Sequence, residues 1–122
     1  MRIEIRGRNV EVTDELREQV AHRFEGIGKQ VSPLSRVEVV LSEEKNPAVA
    51  NKFVAEAKLH LKGVTLLAHE ATPDMIRTVN ELAEDMRRQV KRNREKRRKR
   101  KETRRLVNRM QGRPSGGASA SL

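Results

Sequence analysis

Phe53-Val54-Ala55-Glu56-Ala57-Lys58-Leu59-His60-Leu61 is the stretch on which the fold turns. Phe53, Ala55, Ala57, Leu59 and Leu61 alternate with Lys52, Val54, Glu56, Lys58 and His60, a period of two that describes a strand with one buried and one wet face. Lys62-Gly63 follows at once and can close a tight hairpin into a further strand near Val64 to Glu70. A pair of antiparallel strands with one apolar face needs a cover. The segments on either side must supply it.

Upstream, Glu43 to Asn51 is a polar loop holding the turn former Asn46-Pro47. Before it, Val37, Val39 and Leu41 alternate with Arg36, Glu38 and Val40 as another strand. At the N-terminus Ile3 and Ile5 share one strand face, with Arg2, Glu4 and Arg6 on the other, and Val10 and Val12 extend that strand beyond an irregularity at Gly7. Between these two strands, Leu16, Val20, Phe24 and Ile27 recur at helical spacing. Thr13 caps that helix, Asp14 and Glu15 suit its first turn, Gly26 and Gly28 weaken its last, and Ser32-Pro33 stops it.

Downstream, Thr72-Pro73-Asp74 reads as a helix start with Thr72 as cap and proline at the first helical position. Met75, Ile76, Val79, Leu82, Ala83, Met86 and Val90 form a second apolar stripe. The stripe ends at Val90, while helix-favouring residues continue to Lys101. An unbroken helix from Asp74 to Lys101 would be about 40 Å long. The order βαβββα predicts an α+β fold: a four-stranded, largely antiparallel sheet with two helices on one face and a long basic C-terminal helix. The segmentation is 1–96 for the folded domain, 97–111 for a basic helical or disordered extension, and 112–122 for a Gly/Ser/Ala-rich disordered tail.

Charge divides the chain at the second helix. From Arg87 to Arg113 there are fifteen Lys or Arg residues against Glu95 and Glu102, a net +13. The remainder carries twelve bases and fifteen acids, a net −3, which together give the formal +10. A block this one-sided points to a polyanion, and nucleic acid is the commonest. Basic residues from Lys91 to Lys101 fall on all sides of the helix. A membrane-surface helix needs a broad apolar face opposite its charges, and Leu106, Val107 and Met110 are too small a cluster to supply one. Contact with five to ten phosphates predicts a log–log salt slope of roughly −5 to −9.

Several classes are excluded or disfavoured. The chain has no cysteine, so disulfides, thiolate zinc sites and thiol catalysis are impossible. It has no Tyr or Trp, and Phe24 and Phe53 both read as core, so the aromatic platform of sheet-surface RNA readers is missing. His22, His60 and His69 lack metal-ligand spacing. Glu43-Glu44 and Glu84-Asp85 join no nucleophile, and Glu81 reads as a surface partner of Arg88. These features predict a non-enzymatic protein with no cofactor, no metal and no small-molecule substrate. Without a membrane span or signal-peptide core, the expected location is the cytoplasm.

Asn9-Val10-Glu11-Val12-Thr13-Asp14-Glu15-Leu16-Arg17-Glu18 resembles the strand-to-first-helix signature of ribosome hibernation-promoting factors, the family that includes the ribosome-associated inhibitor A proteins. A second match runs from Asp74-Met75 to Arg88-Gln89-Val90, with spaced basic residues after it. Val37 to Leu41 and Phe53 to Leu61 lie between them in the family's order, so the resemblance covers roughly residues 2–96. It implies a double-stranded-RNA-binding-like domain that binds the small ribosomal subunit and its rRNA at the decoding channel. There it would compete with mRNA and tRNA and inhibit translation in idle ribosomes under stress or in stationary phase. The resemblance makes Arg23 of the first helix an rRNA-contacting residue, with Arg88, Arg92, Arg94 and Lys96 of the second. Arg87 and Lys91 are basic in this sequence and lie among them.

The departures from the family pattern are Ile76 for a usual Tyr, Asn80 for Asp, Asp85 for Lys, and Gly26 where a basic residue is frequent. Nothing resembles the ribosome-dimerising C-terminal domain of the long form, so a short form or a truncated chain is expected. The alternatives are a general duplex-RNA or DNA-binding protein, and a ribosome assembly protein with a basic tail.

Overall fold

The computed structural model describes residues 1–111. Its elements are β1 (Arg2–Arg8), α1 (Asp14–Gly28), β2 (Arg36–Glu43), β3 (Phe53–Leu61), β4 (Val64–Thr72) and α2 (Met75–Gln111). The expected disordered tail, residues 112–122, lies outside the described residues.

The sheet order is β1-β2-β3-β4. The β2–β3 and β3–β4 pairs are antiparallel, and β1 runs parallel to β2 with Ile3 opposite Val37 and Ile5 opposite Val39. Parallel neighbours need a crossover, and α1 provides it. Leu61 pairs with Val64 across Lys62-Gly63, where Gly63 at φ +81° occupies the left-handed region that favours glycine.

Alternation sends Val37, Val39, Leu41, Ala55, Ala57, Leu59 and Ala68 to one face of the sheet. They form a single buried cluster with Leu16, Val20, Phe24 and Ile27 of α1 and Val79, Leu82, Ala83, Met86 and Val90 of α2. Both helices therefore cover the same face, and the other face mixes charged and polar side chains with Val40, Val54 and Leu67. Phe53 departs from the expectation of a core residue. It is half-buried at the start of β3, with the Lys52 ammonium 5.2 Å from its ring centroid.

Two boundaries differ from the sequence reading. Val10 and Val12 do not continue β1, because Asn9 turns the chain at φ 60°. Gly7 makes that turn possible: a Cβ there would lie 2.4 Å from the Val10 carbonyl oxygen. Thr72 is not the cap of α2. It ends β4, and Asp74 caps instead, its Oδ2 accepting from the Arg77 N–H at 2.9 Å. Thr13 does cap α1, accepting from the Leu16 N–H at 3.2 Å.

The chain forms two compact units, Met1–Val90 and a second beginning at Lys91. The boundary falls where the buried stripe of α2 runs out. The helix itself continues unbroken to Gln111, past the expected Lys101.

Candidate nucleic-acid interface

Three of the seven sequence-predicted cations belong to the first unit. Arg23 lies on α1 beside the buried Phe24 and is exposed. Arg87 and Arg88 follow Met86, the last residue but one of the buried stripe, and both are exposed.

The packing of α2 on α1 brings Arg87 to the helix that carries Arg23. Gln19 Nε2 donates to Asn80 Oδ1 at 2.8 Å between the two helices. Further along, a Cβ placed on Gly26 would lie 4.0 Å from Nη2 of Arg87. Nη1 of the same guanidinium donates to Glu84 Oε2 at 2.8 Å, one turn back on α2. The pair is well exposed, with 44% of the Arg87 side chain and 53% of the Glu84 side chain accessible. An ion pair of that exposure adds little to stability.

Arg88 has a different setting. Partial burial pushes the Glu70 carboxyl above its ordinary value; Asp85 and Glu81 add to that shift, while Arg88 and His69 oppose it. Arg88 is therefore close enough to Glu70 to offset part of the effect of Asp85 and Glu81. Glu81 is not its salt-bridge partner as the sequence suggested: Glu81 Oε1 accepts from Arg77 Nε at 3.2 Å.

The other four candidates, Lys91, Arg92, Arg94 and Lys96, belong to the second unit and are all exposed. Arg97 to Lys101 are exposed as well, as are Arg104, Arg105 and Arg109. Among the described residues, Lys91, Arg92 and Lys96 have no carboxylate within 4.0 Å. Together, the exposed basic residues from Lys91 to Lys101 fall on all sides of the helix. Such an array can neutralise phosphates, and it has no apolar stripe broad enough to enter a bilayer.

The open face of the sheet is chemically different. Charges alternate in sign across it, and its histidines are cross-strand partners. His60 Nε2 lies 2.7 Å from Glu38 Oε2 and His60 Nδ1 lies 3.4 Å from Thr65 Oγ1, an arrangement satisfied by hydrogen on Nε2. His69 Nε2 lies 3.8 Å from Glu56. The bond to His60 holds the Glu38 carboxyl below its ordinary value; slight desolvation opposes this, and Arg36, His60 and Lys58 add to it by charge. The described residues contain no group of three or more His, Cys, Asp or Glu placed to hold a metal. None of their helices is long and apolar enough to cross a membrane.

The sequence reading missed two features. Lys29 is exposed at the C-cap of α1, one turn beyond Gly26, and its signal was a lone basic residue closing the helix. The approach of Arg87 to Gly26 joins residues 61 positions apart, and no local pattern encodes it.

The family described as sigma 54 modulation protein / S30EA ribosomal protein matches residues 3–98. The chain is 31% identical over 90 residues to a ribosome hibernation promoting factor of Escherichia coli (strain K12), a match covering 74% of this chain and 90% of that protein. It is 27% identical over 95 residues to one from Acinetobacter guillouiae, covering 74% and 84%. Among solved structures, the N-terminal domain of Thermus thermophilus Protein Y superposes with a TM-score of 0.64 at 28% identity, covering 75% of this chain and 98% of that one. A ribosomal subunit interface protein from Coxiella burnetii gives the same TM-score at 22% identity, covering 77% and 98%, a likeness of fold alone.

Proposed function

Because this chain belongs to the sigma 54 modulation protein / S30EA ribosomal protein family, we propose that it acts in ribosome hibernation by binding the small ribosomal subunit at the mRNA and tRNA decoding channel. The relatives named above are ribosome hibernation promoting factors, which supports ribosome hibernation as the process. The observation that carries the reading is the run of exposed cations from Lys91 onward, in which basic residues far outnumber Glu95 and Glu102. It is joined in sequence to a compact domain whose sheet face has no aromatic platform.

The mechanism is steric and non-enzymatic. The βαβββα domain occupies space that mRNA and tRNA need, and phosphate pairing with rRNA retains it there. Arg23, Arg87 and Arg88 contribute from the domain; Lys91, Arg92, Arg94 and Lys96 contribute from the basic helix. Arginine suits the task because its planar fork can bind a phosphate through two parallel hydrogen bonds. No cofactor and no small-molecule substrate enters the account, and its place of action is the cytoplasm, where idle ribosomes are.

The all-round charge of the helix also favours a second reading, general binding to duplex RNA or DNA. Titrating the purified chain against small ribosomal subunits and against a free RNA duplex at matched salt separates the two. Saturable one-to-one binding to the subunit, much tighter than to the duplex, supports ribosome recognition. Equal affinity for both supports the general binder.

A further inference from the structure

We infer that the free edge of β1 is a docking site for an extended, acidic segment of another protein, which joins the sheet there as a fifth strand. The inference stands apart from the proposed ribosome binding and does not depend on it.

β1 ends the sheet and has a neighbour, β2, on one side only. The Arg2 N–H donates to the Ser35 carbonyl oxygen at 2.8 Å, so Arg2 and, by alternation, Glu4 and Arg6 turn their backbone groups to β2. Ile3 and Ile5 are out of phase with them and turn theirs outward. Among the described residues these N–H and C=O groups meet no backbone partner. A strand laid along the edge satisfies them. In that mode of recognition main-chain bonds supply affinity and alternate side chains supply specificity.

The two faces of β1 set the chemistry of those side chains. On the α1 side a groove of about 460 Å³ borders the edge, with Met1, Ile3, Ala21 and Gly28 among its lining residues. The Met1 side chain lies 3.6 Å from where a Gly28 Cβ would stand, which joins the start of the strand to the end of α1. On the open face Arg2 is taken by Glu4 at 3.6 Å. Arg6 and Arg8 are exposed and, among the described residues, have no carboxylate within 4.0 Å. The fitting segment therefore alternates, with apolar side chains toward the groove and acids toward Arg6 and Arg8. A second copy fits poorly, because its own β1 brings three arginines and one glutamate to that face. A nucleic acid offers no ladder of amides and nothing for the apolar groove.

The test is nuclear magnetic resonance titration of the isotope-labelled full chain with a blocked hexapeptide alternating valine and glutamate. The expected result is saturable amide shifts at Ile3, Ile5, Ala21 and Gly28. Methylating the peptide's edge-facing amide nitrogens should weaken binding roughly tenfold, as loss of the ladder requires. The double variant Arg6→Glu, Arg8→Glu should reverse the preference toward a hexapeptide alternating valine and lysine. Ala21→Gln, an exposed helix position, should weaken binding by reaching into the groove. Absence of saturable binding would overturn the docking site. Equal binding by a hexapeptide alternating glycine and glutamate, with shifts confined to Lys91 and beyond, would reduce it to charge attraction and overturn it too. Shifts at Ile3 and Ile5 that grow with protein concentration alone would give the edge to a second copy, against the proposal. Ribosome binding is measured separately, so failure of one reading leaves the other standing.

Discussion

Gln19 Nε2 donates to Asn80 Oδ1 at 2.8 Å, a side-chain hydrogen bond that ties α1 to α2 at partly buried positions. It lies at the near end of the same helix pair whose far end brings Arg87 to Gly26. Neither amide carries charge, so the bond holds the helices without spending a cation. Asn80→Ala should lower the unfolding free energy by about 0.5–1.5 kcal/mol, read from a shift in the urea midpoint at constant slope. Ribosome affinity should fall far less than for any arginine variant.

Thr78 joins three elements through one hydroxyl. Its Oγ1 lies 2.7 Å from Thr72 Oγ1, 2.8 Å from the Asp74 carbonyl oxygen and 3.1 Å from that of Phe53. The residue is fully buried. Thr78→Val keeps the shape and removes the hydroxyl, leaving Thr72 to satisfy itself at the Asp74 carbonyl. The expected cost is about 1–3 kcal/mol, measurable by thermal or denaturant unfolding.

Two carboxylates should give stability opposite dependences on pH. The folded-state pKa of Glu38 is lowered, chiefly by the His60 hydrogen bond, so between its folded and unfolded values the unfolded chain binds more protons. Its contribution is complete above the ordinary glutamate value of about 4.3 and is lost as pH falls through the folded value. Glu38→Gln should therefore flatten the acid limb of a plot of Tm against pH. Glu70 is raised, first by burial and then by Asp85 and Glu81, so its contribution is present at low pH and lost as pH rises through the folded value. Glu70→Gln should raise Tm at neutral pH and leave it unchanged in acid.

Neutralising Arg88, Arg92 and Arg94 together should abolish binding to small ribosomal subunits while leaving the far-ultraviolet circular dichroism spectrum intact. All three are exposed, and the apolar cluster that holds the domain includes none of them. The wild type should lose affinity with salt at a slope of roughly −5 to −9. Unchanged binding by the folded triple variant would remove these residues from the interface.

The fold was legible where burial imposes a period. Val37, Val39 and Leu41 alternate because β2 lies under the helices, and Leu16, Val20, Phe24 and Ile27 recur because α1 has a single buried stripe. Legibility failed at junctions, where one backbone torsion outweighs a pattern. Val10 and Val12 keep the alternation of a strand, yet Asn9 at φ 60° has already turned the chain. Thr72 has the chemistry of a cap, but its hydrogen bonds knit the end of β4 to the start of α2, and Asp74 does the capping. The basic run was visible as composition alone. The position of Arg87 beside α1 was not, because its meeting with Gly26 depends on helix packing across the domain.

Occlusion of the decoding channel is the central claim, and competition tests it most directly. Purified protein is sedimented with vacant ribosomes at near-physiological salt, then challenged with mRNA and initiator tRNA. The account predicts one copy per small subunit, displaced by the challenge. Weak binding of many copies, indifferent to mRNA and tRNA, would contradict it and leave a general polyanion binder in its place.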